Sequence, residues 1–260
     1  MRDDKDPMGT RFKDLERKER SQIDDSKYTV LRMDGRAFHT YTKNFERPFD
    51  TRLATAMDDA TIALMKNTFP KNMCGYTQSD EISLIIPPVK EPETLPFDGR
   101  VDKILSLASS TVTLGFVTSL IEKTDMEPSV ILGVNSAGFP LFDARFFQVD
   151  TIEDVMEYMN WRRLDARKNA ISSTAMQNFS KKELHGKSTA ERLRMLEEIG
   201  KHEIDLGDLF GRVFVREARE TEVSYADKRT GEKNTTVAMR TFIEPQNATL
   251  DVVERILGIH

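Results

Sequence analysis

Two apolar, β-favouring runs, at 73–77 and 82–86, are separated by only four residues, Gln78-Ser79-Asp80-Glu81. So short a link makes the two runs adjacent antiparallel strands of a hairpin. It also brings two carboxylates into an otherwise apolar stretch. Charged groups rarely enter a buried strand unless they are paired or hold a metal. The hairpin therefore constrains the fold and marks a candidate site.

Upstream of the hairpin, the sequence predicts one strand and one helix. KYTVLRM (27–33) is rich in β-formers and runs into Asp34-Gly35, which is typical of a turn. Asp50 is placed to cap a helix that reaches about Thr68, because apolar residues recur there at helical spacing.

Downstream of the hairpin, the run 87–99 holds four prolines and is predicted to be a loop. A long, mostly apolar helix from Arg100 to about Glu122 follows, and then strands at 129–134 and 145–150. Strand, helix, hairpin, helix and strand in this order form the ferredoxin-like βαββαβ motif. We therefore expect an α+β sheet with its helices packed on one face.

The chain is expected to divide into three segments: an N-terminal helical extension (1–27), a catalytic core (28–150) and a C-terminal region (151–260) that completes the same domain. In the last segment, Thr151 and Asp154 predict a capping box that opens a helix to about Gln177.

Residues 212–243 are predicted to form a second hairpin. Segments 212–220 and 221–243 are strand-like, with a turn at Thr230-Gly231. Ser188 and Glu191 predict a further capping box, which opens a helix through Ile199.

Composition limits the functional classes. The charged fraction is 31% and the apolar fraction 38%, which is typical of a soluble protein, and no apolar run is expected to reach membrane-spanning length. Cys74 is the only cysteine, so an intrachain disulfide and a cysteine-rich zinc site are excluded. The charged N-terminus lacks an apolar signal core, and we expect a cytoplasmic protein. A net charge of −5 means that any nucleic-acid contact depends on local basic patches.

The βαββαβ order places the end of the first strand beside the hairpin, so that Asp34 faces Asp80 with Glu81 next to it. Converging carboxylates repel unless a cation lies between them. Magnesium takes oxygen ligands of this kind, and Gly35 allows a close backbone approach. Spacing alone is equally compatible with a plain turn at 34–35 and an exposed bend at 80–81.

Cations surround the first carboxylate and follow the proline-rich loop. They suit the phosphates of a nucleoside triphosphate. These residues are Arg32, Arg36, His39, Lys43, Arg47, Arg100 and Lys103. Arg100 and Lys103, taken alone, are equally compatible with an ordinary solvated helix face.

Four stretches together resemble the tRNA-histidine guanylyltransferase family, including its tRNA-repairing 3′–5′ polymerase relatives. They are RMDGRAFHTYTKNFERPFD (32–50), GYTQSDEISLII (75–86), FDARFFQVD (142–150) and NWRRLDARKNA (160–170). The resemblance runs in order from about 28 to 178 and implies a polymerase-like palm, in agreement with the βαββαβ order.

The resemblance also implies roles for individual residues. Asp34 and Asp80 would bind two Mg²⁺ ions with the carbonyl of Gly35, and the catalytic set would be Asp34, Asp80 and Glu81. The residues expected to contact ATP or GTP are Arg32, Arg36, Ala37, Phe38, His39, Arg47, Ser79, Arg100 and Lys103. Arg47 stands where the family usually has lysine.

The segment after Trp161 departs from the family. Members that guanylylate histidine tRNA typically carry His-Ile-Asn-Asn where this chain has Arg167-Lys168-Asn169-Ala170. The change favours templated repair of 5′-truncated tRNA over untemplated guanosine addition. Trp161 itself is expected to be buried against the palm helix, with stacking on a base as the alternative. The residues expected to hold the RNA backbone are Arg162, Arg163, Arg167, Lys168 and Asn169.

The activity implied is metal-dependent nucleotide addition to the 5′ end of tRNA after ATP activation, in a protein that is typically a homotetramer and does not bind membranes. Two alternatives remain open at this point. One is a nucleotide cyclase on the same palm, and the other is a catalytically silent nucleotide- or RNA-binding module.

Overall fold

The computed structural model describes residues 7–18, 20–69, 73–90, 92–133, 138–226 and 233–258. Within these ranges the strands are β1 (Tyr28–Gly35), β2 (Cys74–Gln78), β3 (Glu81–Ile86), β4 (Phe142–Val149), β5 (Arg212–Ala226) and β6 (Lys233–Asn247). The helices there are α1 (Pro7–Lys18), α2 (Phe38–Tyr41), α3 (Thr51–Asn67), α4 (Val101–Lys123), α5 (Pro128–Ile131), α6 (Ile152–Asn178), α7 (Lys181–Leu184), α8 (Thr189–Glu198), α9 (Leu206–Phe210) and α10 (Leu250–Leu257). Short 3-10 turns occupy Thr42–Asn44 and Pro96–Gly99.

The strands form one antiparallel sheet in the order β4-β1-β3-β2-β5-β6. The first four strands in this order have the arrangement of the ferredoxin-like motif, so the predicted α+β palm is confirmed. The register pairs Asp34 with Glu81 of β3 on one side and with Asp143 of β4 on the other. The hairpin β5–β6 extends the sheet beyond β2.

Helices cover both faces of the sheet, so the expectation of a single covered face is wrong. Leu31 and Met33 of β1 point into a core with α3 and α4. Val30 of β1 and Ile85 of β3 point the other way, into a second core with α6 and α10. The cause lies in β2 and β3, where every residue is buried. Successive side chains of a strand point to opposite faces, so both faces of the sheet must be covered.

The predicted helix starts are confirmed by their caps. The Asp50 carboxylate accepts from the backbone N–H of Arg52 at 2.9 Å and starts α3. Thr151 and Asp154 exchange hydrogen bonds as a capping box at the start of α6, and Ser188 does the same with Glu191 at α8. Each cap satisfies backbone N–H groups that a helix start leaves without partners.

The strand predicted at 129–134 is wrong. The segment Pro128–Ile131 is instead one short helix, α5, and residue 134 lies outside the described residues. Pro128 at the first helical position favours a helix start, and five apolar residues do not distinguish strand from helix. β4 begins earlier than predicted, at Phe142. The Thr230-Gly231 turn lies outside the described residues.

The long helix α4 also corrects an expectation. By length and composition it matches a membrane-spanning helix, with a mean hydropathy of 1.8 over its most apolar window. It packs here on α3, and a Cβ on Gly115 would lie 3.0 Å from Cα of Ala60. Its residues Ile104, Val112 and Phe116 are fully buried in the core.

Candidate active site

A cleft of about 410 Å³ opens where β1 ends and the β2–β3 turn begins, beside the start of α3, the middle of α6 and the short helix α9. The residues of the sequence-predicted site that line this cleft are Asp34, Gly35, Ala37, Phe38, His39, Arg47, Ser79, Asp80 and Asn169. Sequence reasoning missed other lining residues, among them Phe45, Glu46, Asp50, Ser173, Asp208 and Arg212. Phe45, Glu46 and Asp50 belong to the 32–50 stretch, whereas the other three are more than 100 residues away in sequence and reach the cleft only through the fold.

The tight β2–β3 turn brings the two central carboxylates to one end of the sheet. Only Ser79 and Asp80 separate the strands, and Ser79 has a φ of +49°, in the left-handed region. The backbone N–H of Gly35 donates to the carbonyl of Asp80 at 3.0 Å. This bond fixes the end of β1, which carries Asp34, against the turn that carries Asp80.

The glycine after Asp34 is required by packing. A Cβ on Gly35 would lie 2.4 Å from Cδ2 of Phe38, so no larger residue fits without moving that ring. The Phe38 ring lies 4.8 Å from Phe142 and 5.5 Å from Phe116, centroid to centroid. This aromatic cluster anchors the segment after β1, which forms one side of the cleft.

Burial, together with the negative charge of Asp34, raises the pKa of Asp80 above its ordinary value. The Ser79 hydroxyl, which donates to Asp80 at 3.0 Å, and the nearby His39 act in the opposite direction. The raised pKa means that the groups around Asp80 do not fully compensate the negative charge of its ionised carboxylate. A bound cation would supply the missing charge.

Glu81 is not a third free carboxylate, so its assignment to the catalytic set is corrected here. Arg162 of α6 binds it in a bidentate ion pair, with Nε to Oε1 at 2.7 Å and Nη2 to Oε2 at 2.8 Å. Both side chains are buried. The alternation of a strand explains the difference, because Glu81 is already the first residue of β3 and points under α6.

The cations after β1 do not all reach the cleft. His39 and Arg47 line it, and Arg47 donates to the carbonyl of Thr42 at 3.0 Å. Arg32 lies behind Glu81, with Nε 4.0 Å from Oε2, and the exposed Arg36 is not among the lining residues. Strand β4 supplies a cation that the sequence analysis missed: Nη2 of Arg145 lies 3.6 Å from Oδ2 of Asp34.

Arg100 and Lys103 lie at the end of the sheet opposite to Asp34 and Asp80. They therefore do not reach a triphosphate bound at those two carboxylates of the same chain, and the expected contact is contradicted. Residues 99–100 pair with residues 22–23, beside the start of β1. Strands rise about 3.3 Å per residue, so the start of β1 at Tyr28 is roughly 20 Å from Asp34. Arg100 is bound instead to Asp102, with Nη2 to Oδ2 at 2.7 Å.

Helix α6 turns two of its predicted RNA-binding side chains inward, so these two assignments are wrong. Arg162 is held by Glu81, and the buried Arg163 donates to the carbonyl of Ala248 and to Oδ1 of Asn160. Lys168 and Asn169 are exposed and Arg167 is half-buried. Only this later part of the predicted set is placed to meet RNA.

The donor set fits magnesium better than a softer metal. The carboxylates of Asp34 and Asp80 and the backbone oxygens beside them are hard ligands, the type that Mg²⁺ prefers with phosphates completing its shell. In the described part of the chain, no group of three or more His, Cys, Asp or Glu side chains is placed to hold a metal by itself. Two carboxylates that leave the remaining positions to a substrate are the usual magnesium arrangement.

Fold and site together define a class, the palm-type nucleotidyltransferases, in which carboxylates at the ends of central strands serve phosphate chemistry. Sequence comparison gives the family: the model described as tRNAHis guanylyltransferase matches residues 9–150. The chain belongs to the tRNAHis guanylyltransferase family.

Individual relatives agree with this family. An uncharacterized protein of Acanthamoeba polyphaga mimivirus is 31% identical over 209 residues, which cover 74% of this chain and 70% of that protein. The tRNA(His) guanylyltransferase of Kluyveromyces lactis is 31% identical over 149 residues, 56% of this chain and 59% of that enzyme. The chain thus spans well under two thirds of the named guanylyltransferase.

A solved structure extends the likeness to the fold. A bacterial tRNA(His) guanylyltransferase-like protein in complex with ATP superposes with a TM-score of 0.71 at 29% identity, covering 80% of this chain and 88% of that one.

Proposed function

We propose that this protein is a metal-dependent nucleotidyltransferase that adds nucleotides to the 5′ end of tRNA in the 3′–5′ direction. The observation that carries the proposal is the pair Asp34 and Asp80, held at one end of the sheet by the Gly35–Asp80 backbone bond and opening into one cleft. Family membership and the ATP complex of a relative support a nucleotide as one substrate.

The proposed reaction has two transfers. The 5′-monophosphate of the RNA first attacks the α-phosphate of ATP, releasing pyrophosphate. The 3′-hydroxyl of an incoming nucleoside triphosphate then attacks the activated 5′-phosphate, and AMP leaves. Both steps build negative charge on phosphate oxygens, so positioned cations contribute most of the catalysis and no protein nucleophile is needed.

Asp34, Asp80 and the backbone beside them would hold two Mg²⁺ ions, which, when bound, activate the attacking oxygen and stabilise the leaving one. Arg145 lies beside Asp34 and Arg47 lines the cleft, and in this proposal both arginines bind phosphate. The exposed His39 at the cleft wall is available to a base or ribose.

The protein is further proposed to copy a template. Of the His-Ile-Asn-Asn segment typical of guanosine-adding relatives, only Asn169 is kept, and it lines the cleft. Lysine and arginine bind phosphate but carry little sequence information. Selection of the nucleotide would then come from pairing with the opposite strand of the acceptor stem.

A direct assay tests both parts. The protein is incubated with Mg²⁺, ATP and 5′-monophosphorylated tRNAs that lack their first nucleotide, with the opposing base varied and each nucleoside triphosphate offered in turn. Incorporation should follow Watson–Crick complementarity on several tRNAs. Guanosine addition to full-length histidine tRNA regardless of the opposing base would contradict templating. Cyclic nucleotide formed without RNA would instead identify a cyclase, and RNA binding with no product a silent module.

The protein is also proposed to assemble with copies of itself, as a homotetramer. Leu107, Leu114 and Ile121 are exposed on α4 at seven-residue intervals, and Leu114 is 68% exposed. An apolar stripe with this spacing is typical of a helix that packs along another helix.

A further inference from the structure

Trp161 was expected to be buried, but its side chain projects from α6 and is 53% exposed. It ends a row of three aromatic rings. Phe147 of β4 lies 5.1 Å from Tyr158, and Tyr158 lies 5.9 Å from Trp161, centroid to centroid. We call Phe147, Tyr158 and Trp161 the aromatic platform. Trp161 and Phe147 reach the surface, whereas Tyr158 is buried between them, so the exposed parts of Trp161 and Phe147 are what a ligand can contact.

Two side chains of the platform, Trp161 and Tyr158, are held in place by buried polar contacts. The guanidinium carbon of Arg162 lies 4.5 Å from the centroid of the Trp161 ring. That guanidinium is itself fixed by its bidentate pair with the buried Glu81, and Tyr158 is fixed by a 2.7 Å hydrogen bond with Ser83. One side of the indole is therefore supported by a cation, while the exposed part needs no rearrangement to receive a flat ligand.

The platform is continuous with the cleft along α6. Asp165 and Asn169 follow Trp161 at four-residue intervals and share its side of the helix. Asn169 lines the cleft, and eight residues of helix place Trp161 about 12 Å from it along the helix axis. Lys168 is exposed on the same helix, and no ion pair occupies it among the described side chains.

We propose that the aromatic platform stacks a nucleobase of the RNA substrate immediately outside the cleft, with Lys168 near the adjoining phosphate. The proposal rests on the proposed function in taking RNA as the substrate. Stacking on an aromatic ring accepts any base, which suits an enzyme whose sequence information comes from a template. A free nucleoside triphosphate would bind at the carboxylates of the cleft instead, because its phosphates need the metal.

The chain offers a direct readout, because Trp161 is its only tryptophan. A 5′-monophosphorylated single-stranded oligoribonucleotide is titrated into the full-length protein without ATP and with EDTA present, and indole emission is followed. Stacking should quench the emission to a plateau. Trp161→Ala should weaken binding of fluorescein-labelled RNA, measured by anisotropy, about 5- to 150-fold. Trp161→Phe should restore most of the affinity. The matched control is Leu164→Ala, which removes an apolar side chain that is 55% exposed on the same helix but outside the platform.

Two results would overturn the proposal. One is RNA binding that leaves the indole emission unchanged and is unaffected by Trp161→Ala. The other is self-association that Trp161→Ala abolishes while RNA has no effect on emission, which would identify the platform as an interface with a second copy. The result is independent of catalysis: Asp80→Asn should lose nucleotide addition and keep the quench. Quenching by RNA in a wild-type protein that adds no nucleotide would uphold the platform and reject the proposed function.

Discussion

Asp34 and Asp80 differ from their strand neighbours Glu81 and Asp143 in how they are neutralised. Glu81 has Arg162, and Asp143 has Arg145 at 2.8 Å. Asp80 accepts from the hydroxyl of its neighbour Ser79 and from its own backbone N–H, and Asp34 lies 3.6 Å from an arginine that Asp143 binds more closely. Of these four carboxylates, Asp34 and Asp80 are the two that line the cleft, and neither has a cation as close as those of Glu81 and Asp143.

Asp80→Asn should lower the rate of nucleotide addition by orders of magnitude, because a neutral amide lacks the negative charge that stabilises two divalent cations. Its metal-free melting temperature should equal or exceed that of the wild type, since one of two repelling carboxylates is removed. Activity is measured by label transfer to truncated tRNA and stability by thermal unfolding in EDTA. The matched control is Asp143→Asn, on the adjacent strand, which should retain most activity. Near-normal turnover in Asp80→Asn would reject the two-carboxylate site.

Cys74 should be chemically silent in the folded protein. Burial raises the pKa of its thiol to about 12, so almost no thiolate exists at neutral pH. Ellman's reagent at pH 8 should therefore react over hours with the native protein and within seconds in guanidinium chloride. Rapid reaction of the native protein would show that β2 opens readily to solvent.

At the scale of elements, α6 links the site to the rest of the fold. One side of it carries Arg162 and Arg163 into the interior, and another carries Lys168 and Asn169 outward. The same helix thus holds the turn beside Asp80 in place and carries the side that we propose contacts RNA.

Arg162→Ala should destabilise the protein by about 3–5 kcal/mol, because it leaves the Glu81 carboxylate buried without a partner. The double variant Arg162→Met with Glu81→Gln should recover much of this loss, since no unpaired charge remains. Urea unfolding followed by circular dichroism measures both. A loss below about 1 kcal/mol in the single variant would mean that water reaches Glu81.

Charge reversal should separate the two sides of α6. Lys168→Glu should leave the melting temperature unchanged, weaken tRNA binding and reduce the slope of log K against log salt by about 1. Arg163→Glu should instead reduce the folded fraction, because the carbonyl of Ala248 loses its donor. Filter binding over a salt series tests the first and thermal unfolding the second. Unchanged affinity of Lys168→Glu at low salt would exclude this side of α6 from the RNA contact.

At the scale of the whole molecule, the sheet is covered on both faces, yet α4 still exposes an apolar stripe to solvent. Exposed apolar residues in a regular row indicate a surface that is covered in solution.

Leu114→Lys should shift the protein to smaller species in sedimentation velocity at micromolar concentration, because a desolvated ammonium in an apolar contact is costly. The monomer's own core should be unaffected, since Leu114 is 68% exposed. Met176→Lys, at an apolar position of α6 that is 57% exposed and lies outside the α4 stripe, is the control. A wild-type protein that sediments as a monomer at these concentrations would contradict the proposed assembly.

The sequence by itself determined the features that are set by residues close together in the chain, namely one hairpin and three helix starts. The four-residue link set the hairpin, and the pattern of Asp50, Thr151 and Ser188 set three helix starts, because caps and tight turns are satisfied within a few residues. The order of these elements was enough for the βαββαβ sheet. The order also placed Asp34 beside the hairpin, which the register confirms.

Only the tertiary structure decided which way side chains point and which end of the sheet they reach. Arg162 and Lys168 are six residues apart on one helix, yet one is buried and the other is exposed, because the packing angle of α6 is set by contacts with β1, β3 and α10. Arg100 looked like a phosphate ligand beside a helix start, but α4 begins at the far end of the sheet. Helix rotation and strand direction arise from the packing of distant segments, and no local pattern contains them.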